Sequence, residues 1–233
     1  MLVAAAVCPC PPLLVPEVAA GAAPELDAAR AACADALGVL AAARPDRLVV
    51  LGPAEEGGHY PQGTRGSFRD FGVDLAVRLG PEGAPGPELP ASLAVAAWLL
   101  AWTGWTDVPV EGVAVAADLP PGQCAGLGAE IAGGNDRTAL FVMGDGSASR
   151  TLKAPGYLDD RAAPLDAEAA RALGAADLAA LAALDTGLAR ELHASGRAPW
   201  QVLAAAAEGA GLDGTLLYDE APYGVGYLVA AWS

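Results

Sequence analysis

Short, unbroken apolar runs that stop at glycine or proline, with alanine-rich stretches between them, constrain this chain more than any other feature. Leu2–Cys8 (LVAAAVC), Arg47–Leu51 (RLVVL, ending in Gly52-Pro53) and Thr138–Met143 (TALFVM, running into Gly144) are three such runs. A strand that is apolar on both sides suits a sheet covered on both faces. Val113–Ala117 adds a further strand, Gly72–Leu79 alternates like a half-exposed one, and Thr215–Tyr218 and Val225–Trp232 close the chain. Helices are expected over 24–43, over Ala91–Trp102 with a stop at Gly104, over Pro121–Ala132, in two or three pieces from Asp166 to Leu192, and over Trp200–Gly209 after Pro199. Glu55–Phe71 reads as a long irregular loop and Gly80–Pro90 as a Gly/Pro turn region.

Strands alternating with helices predict an α/β fold: one domain over residues 1–233, with a mixed central sheet sandwiched between helices. The length allows a self-sufficient core. In such sheets ligands sit beyond the strand ends. The loops that should carry chemistry are therefore Pro9–Glu17, Gly52–Phe71, Gly144–Pro155 and Asp219–Tyr223.

Charge removes some function classes. With 28 acidic and 13 basic residues the net charge is −15, which repels phosphate backbones, so nucleic acid is not an expected partner. The N-terminus is apolar but short and lacks a basic leader, and no run suits a bilayer, so the expectation is a cytoplasmic protein with no membrane partner. The four cysteines are scattered rather than arranged as a disulfide framework, and Cys33 falls inside a helix as a core residue.

Four segments could carry chemistry. Cys8-Pro9-Cys10 could bind a soft metal or act in redox chemistry, although its spacing is not the Cys-x-x-Cys of zinc sites. Gly52–Tyr60 offers Glu55 and Glu56 as oxygen ligands or bases, and His59, one of two histidines. Gly144–Arg150 (GDGSASR) is neither a P-loop nor a dinucleotide fingerprint nor a nucleophile elbow, but it presents Asp145 and Ser147 between small residues. Tyr218–Tyr227 brings Asp219, Glu220 and Tyr223 to one turn. His193 ends a helical stretch, where a cation suits the helix dipole.

In order, CPCPPLLVPEV, RLVVLGPAEE, FVMGDGSASR, SGRAPWQVLAAAA and LLYDEAPYGVGYLVAAW span almost the whole chain. Together they resemble the beta-subunit of class III extradiol ring-cleavage dioxygenases, the LigB-like superfamily that includes the Memo proteins. The resemblance implies a mixed-sheet α/β sandwich. In that family a ferrous ion held by two His and a carboxylate binds a catecholate and O₂, and a further His moves protons. Here Cys10 stands at the opening His, Ala54 (beside Glu55) at the second, Ala148 at the acid/base His, and Ser195-Gly196 where Memo-like members have Cys-Gly. An alanine has neither a lone pair for a metal nor a proton to move.

The expected function is thus a LigB-like protein without the usual ring-cleavage activity and without a cofactor. It would keep a pocket for a small aromatic ligand or a partner, with Asp145, Ser147, Glu220 and Tyr223 as its catalytic candidates. The alternative is an atypical metal site in which Cys10, Glu55 and His59 hold Fe(II) or another divalent metal. A third reading is a homo-oligomer or accessory subunit with an interface near Trp98, Trp102 and Trp105, although their helix reads as core.

Overall fold

A computed structural model describes residues 1–83, 86–105 and 108–233. Among the described residues the nine strands are β1 (Leu2–Cys8), β2 (Arg47–Ala54), β3 (Gly58–Tyr60), β4 (Arg65–Ser67), β5 (Ala76–Arg78), β6 (Val110–Ala116), β7 (Thr138–Met143), β8 (Gly214–Glu220) and β9 (Tyr227–Trp232). The α-helices are α1 (Pro16–Ala19), α2 (Asp27–Ala42), α3 (Ala91–Trp102), α4 (Pro121–Ala132), α5 (Ala162–Gly174), α6 (Leu178–Ala182), α7 (Thr186–Glu191) and α8 (Arg197–Ala206).

Seven strands form one sheet in the order β3-β6-β2-β7-β1-β9-β8. β6, β2, β7 and β1 run parallel, while β3 on one edge and β9-β8 on the other are antiparallel. The apolar runs explain the layers. Alternate residues of one strand point to opposite faces, and here both faces are covered. Ala4, Ala6 and Cys8 of β1, Leu48 and Val50 of β2, and Phe141 and Met143 of β7 pack in one core with α2 and α3. Val7, Val49, Leu51, Leu140 and Val142 pack in the other with α4, α5 and α8. The mixed-sheet sandwich expected from the sequence is the fold observed.

Alanine sets how closely the helices approach. α2 buries Ala29, Ala32, Cys33, Ala36, Leu37 and Leu40, a helical stripe of small and medium side chains laid against β1 and β9. Cys33 is fully buried, as expected of a core residue. Gly128 of α4 touches α8 so closely that a Cβ would lie 2.4 Å from the Val202 carbonyl oxygen. Large side chains fill what alanine leaves: Trp200 and Trp232 are the largest of the fully buried residues. Burial of each such side chain contributes on the order of 2–3 kcal/mol.

Several expected boundaries shift. α2 begins at Asp27, because Pro24 sits in a 3₁₀ segment (Ala20–Leu26) before it. α8 starts at Arg197, with Pro199 in its first turn, where a missing N–H is tolerated. Glu55–Phe71 is not wholly irregular, since it holds β3 and β4. Of the strand expected over Gly72–Leu79 only β5 forms, and it pairs with β4 in a separate two-stranded ribbon outside the main sheet. Residues 84 and 85 of the expected Gly80–Pro90 turn lie outside the described residues.

Candidate functional site

The four parallel strands end on one side of the sheet, at Cys8, Ala54, Ala116 and Met143. The segments that continue from β1 and β7 meet there. Gly144 N–H donates to the Cys8 carbonyl at 3.0 Å. The Cys10 N–H then donates to Asp145 Oδ1 at 2.8 Å, and the Cys10 thiol lies 3.7 Å from Asp145 Oδ2. Asp145 N–H donates to Ser195 Oγ at 3.0 Å, and Gly196 N–H returns to the Asp145 carbonyl at 2.8 Å. This clasp needs glycine on both sides: a Cβ on Gly144 would lie 2.4 Å from Gly196 Cα, and one on Gly196 would lie 2.2 Å from the Trp200 ring.

The electrostatics follow from burial. Asp145 is pushed up to about 6, chiefly because removal from water disfavours its charge, while the hydrogen bonds from Cys10 oppose the shift. Burial also pushes the Cys10 thiol well up, and the Asp145 charge beside it adds to that. Burial thus favours the neutral thiol of Cys10 over the thiolate. Tyr227 joins the group because β9 runs antiparallel to β1. Ala230 lies opposite Val7, so the register brings Tyr227 to the level of Cys10. Burial, with Asp145, Tyr223 and Cys10 nearby, raises the Tyr227 phenol well above its ordinary range.

A covering segment packs over this cluster. Arg30 donates to the carbonyls of Leu14 and Ala23 and pairs with Asp27, which pins residues 14–27 onto α2. Tyr223 Oη donates to Glu25 at 3.0 Å from the opposite side. The loop after Arg150 is tied to the turn before β9, where Arg150 N–H donates to the Gly224 carbonyl, and is closed where Gly156 N–H donates to the Ala148 carbonyl. It exposes Leu152, Tyr157 and Leu158.

The structure separates the other candidates. Ser147 is fully buried: its N–H and Oγ donate to the two Asp166 carboxylate oxygens at 2.6 and 2.8 Å, and Arg150 donates to Asp166 at 2.9 Å. Its hydroxyl holds the loop in place and is not available to a ligand. Glu220 ends the edge strand β8, exposed to solvent. Tyr223 is used as a latch on Glu25.

The set Cys10, Glu55 and His59 is not assembled. His59 lies on β3, paired with Val113 at the far edge of the sheet, and Glu55 is an exposed turn residue. Four strand spacings of about 4.8 Å, on the order of 19 Å, separate β3 from β1. Among the described residues no group of three His, Cys, Asp or Glu side chains is disposed to hold a metal. Ala54 and Ala148 supply only methyl groups at their positions. The donors present do not fit the ferrous centre that the LigB-like resemblance implies.

Sequence reading missed Asp166, Ser195 as a hydrogen-bond partner, Tyr227 and Arg197. Arg197 is almost fully buried, donating to the carbonyls of Ala117 and Leu119 and to Gln201, and among the described residues it has no carboxylate partner. It ties the start of α8 to the end of β6. His193 takes a left-handed conformation (φ 55°) just past α7 and ends that helix. Trp102 is half exposed and stacks on Trp98 with ring centroids 5.5 Å apart, so the end of α3 is less core-like than its sequence suggests.

No known family profile and no curated protein matches this chain. Among solved structures it is similar to uncharacterized protein JW3007 from Escherichia coli K12, with a TM-score of 0.57 and 12% identity over 99% of each chain. That likeness shows a shared α/β fold over the full length. Among the described residues no helix is long and apolar enough to cross a membrane.

Proposed function

We propose that this chain is a LigB-like protein that binds a small aromatic ligand at the Cys10–Asp145–Ser195 cluster without ferrous ring-cleavage chemistry. The observation that carries the proposal is Asp145. It sits where the parallel strands end, its carboxyl is pushed up to about 6, and Cys10 and Ser195 fix its position. A carboxyl poised near neutral pH can give or take a proton from a phenolic hydroxyl. The exposed Leu152, Tyr157 and Leu158 of the loop after Arg150 offer surface for an aromatic body. The family iron would need nitrogen donors at Cys10 and Ala54, and the family's proton transfer would need one at Ala148; none of these residues has one.

The test combines oxygen uptake with binding. Purified protein supplied with ferrous iron and a panel of catechols is expected to consume no O₂ above a protein-free control. The same phenols are expected to shift the carboxyl ¹³C resonance of Asp145, and Asp145→Ala should abolish the binding. Iron-dependent O₂ uptake lost in Cys10→Ser would refute the proposal and restore the atypical metal site.

A second reading, a homo-oligomer or accessory subunit, draws on the exposed Trp98–Trp102 stack. Light scattering of the wild type and of Trp102→Glu tests it. A dimer that dissociates in the variant supports the reading, and a monomer in both rejects a self-interface.

A further inference from the structure

At the other end of β6 the β4–β5 ribbon forms a second concavity, unrelated to the cluster above. Its register sets Arg65 directly opposite Arg78. Like charges directly opposite on adjacent antiparallel strands repel. This chain has 28 carboxylates for 13 cations, so arginines could easily be matched with acids. Several are: Arg47 meets Glu111, Arg69 meets Asp74, Arg150 meets Asp166, and Arg161 and Arg171 each meet two carboxylates, whereas Arg44, Arg137, Arg190 and Arg197 make no ion pair among the described residues. Arg65 makes no ion pair among the described residues. Arg78 has one, to Glu82 at 3.3 Å, and that carboxylate is 89% exposed, so the pair is weak.

The two guanidinium groups border a basin of about 330 Å³ whose other described walls are Gly63, Glu82, Gly83 and Gly86. Side chains are excluded at the three glycines. Gly63 has φ +87°, a Cβ on Gly83 would lie 2.1 Å from the Gln62 carbonyl oxygen, and one on Gly86 would lie 2.7 Å from Thr64 Oγ1. Gln62 holds the wall in place: its side chain donates to the Glu82 carbonyl and accepts from Val110 N–H. Among the described residues the basin therefore presents main chain, two cations and the one carboxylate of Glu82, and it has the volume of a small-ligand site.

We infer that this basin is a binding site for a dianionic phosphate group, free or carried by a small metabolite, held between Arg65 and Arg78. A dianion neutralises both guanidinium groups at once, whereas a monocarboxylate neutralises one. The planar fork of arginine offers paired N–H donors to phosphate oxygens. The site is independent of the Asp145 cluster, so each proposal can fail alone.

The test is a ¹H–¹⁵N NMR titration of the full chain with inorganic phosphate at constant ionic strength, with phenyl phosphate and acetate as separate arms. Phosphate is expected to give saturable shifts at the Gly63, Gly83 and Gly86 amides, with a dissociation constant on the order of millimolar. Arg65→Ala and Arg78→Ala should each weaken binding by about tenfold or more, and Glu82→Gln should tighten it. Tighter binding of phenyl phosphate than of inorganic phosphate would identify a phosphorylated metabolite as the occupant, and the reverse order would identify free phosphate. Thermal unfolding without phosphate checks the fold, and Arg65→Ala is expected to be no less stable than wild type there, because it relieves the cross-strand repulsion. Any of three results would overturn the inference: no saturation by about 50 mM phosphate, saturation unchanged in Arg65→Ala, or acetate binding as tightly as phosphate.

Discussion

Replacing Asp166 by alanine should cost more stability than any other single carboxylate change in this protein. Asp166 is 1% exposed and accepts three hydrogen bonds, from Ser147 N–H, Ser147 Oγ and Arg150. Alanine would leave a buried amide and a buried hydroxyl without partners. Each such loss is about 1–3 kcal/mol. The Arg150 side chain is 29% exposed and can turn to water, so its contribution is discounted. The sum is about 2–6 kcal/mol, a range that includes the cost of removing one partner from a buried pair. The carboxylate also fits against Gly146 and Gly226, where a Cβ would lie 2.7 and 2.5 Å from its oxygens, so no neighbouring side chain can take its place. Urea unfolding followed by circular dichroism measures the effect. With a slope of roughly 2–3 kcal/mol/M the midpoint should fall by about 1–3 M, at unchanged slope. A loss below about 1 kcal/mol would show that the Gly144–Arg150 loop does not depend on this carboxylate, and the argument from buried unsatisfied groups would fail here.

The remaining predictions concern the same half of the molecule. Asp145 has a folded-state pKa raised to about 6, above its unfolded value. The native state therefore holds the extra proton between about pH 4 and 6, and stability from this group declines as pH rises through that window. Wild type should lose about 2–2.5 kcal/mol relative to Asp145→Asn between pH 4 and 7, measured by denaturant unfolding at each pH; a constant gap would contradict the raised pKa. Gly196→Ala would place a methyl 2.2 Å from the Trp200 ring and should destabilise by about 2–3 kcal/mol, read as a fall in the urea midpoint. Trp232→Phe removes a buried 2.7 Å hydrogen bond from Nε1 to the Leu173 carbonyl and should cost about 1–3 kcal/mol in the same assay. By contrast His59→Gln, at an exposed position on the sheet edge, should change stability by less than about 0.5 kcal/mol.

The sequence showed which chain ends would meet better than it showed which side chains they bring together. Cys10 and Asp145 were legible because both follow apolar strands that end at Pro or Gly, and parallel strands place their ends together. Ser147 stood out as a small polar residue in a glycine-rich loop, yet its partner Asp166 lies 19 residues on, at a helical position that looks solvated in sequence. Glu55 and His59 drew attention as metal-capable types. Their distance from Cys10 depends on strand order, and nothing local in the sequence states that order.

Periodicity and punctuation by themselves determined the layered α/β plan, since runs apolar on both sides are stable only when both faces of a sheet are covered. They also determined that imidazole is absent at three positions of the resembled motif, because residue identity needs no folding. Tertiary structure alone decided that β1 lies beside β7 and four strand spacings from β3, that Asp166 rather than Ser147 is the buried anchor, and that Arg65 faces Arg78. These facts depend on contacts between distant segments, and in such contacts the energy of packing and hydrogen bonding is set by which chain ends meet in space.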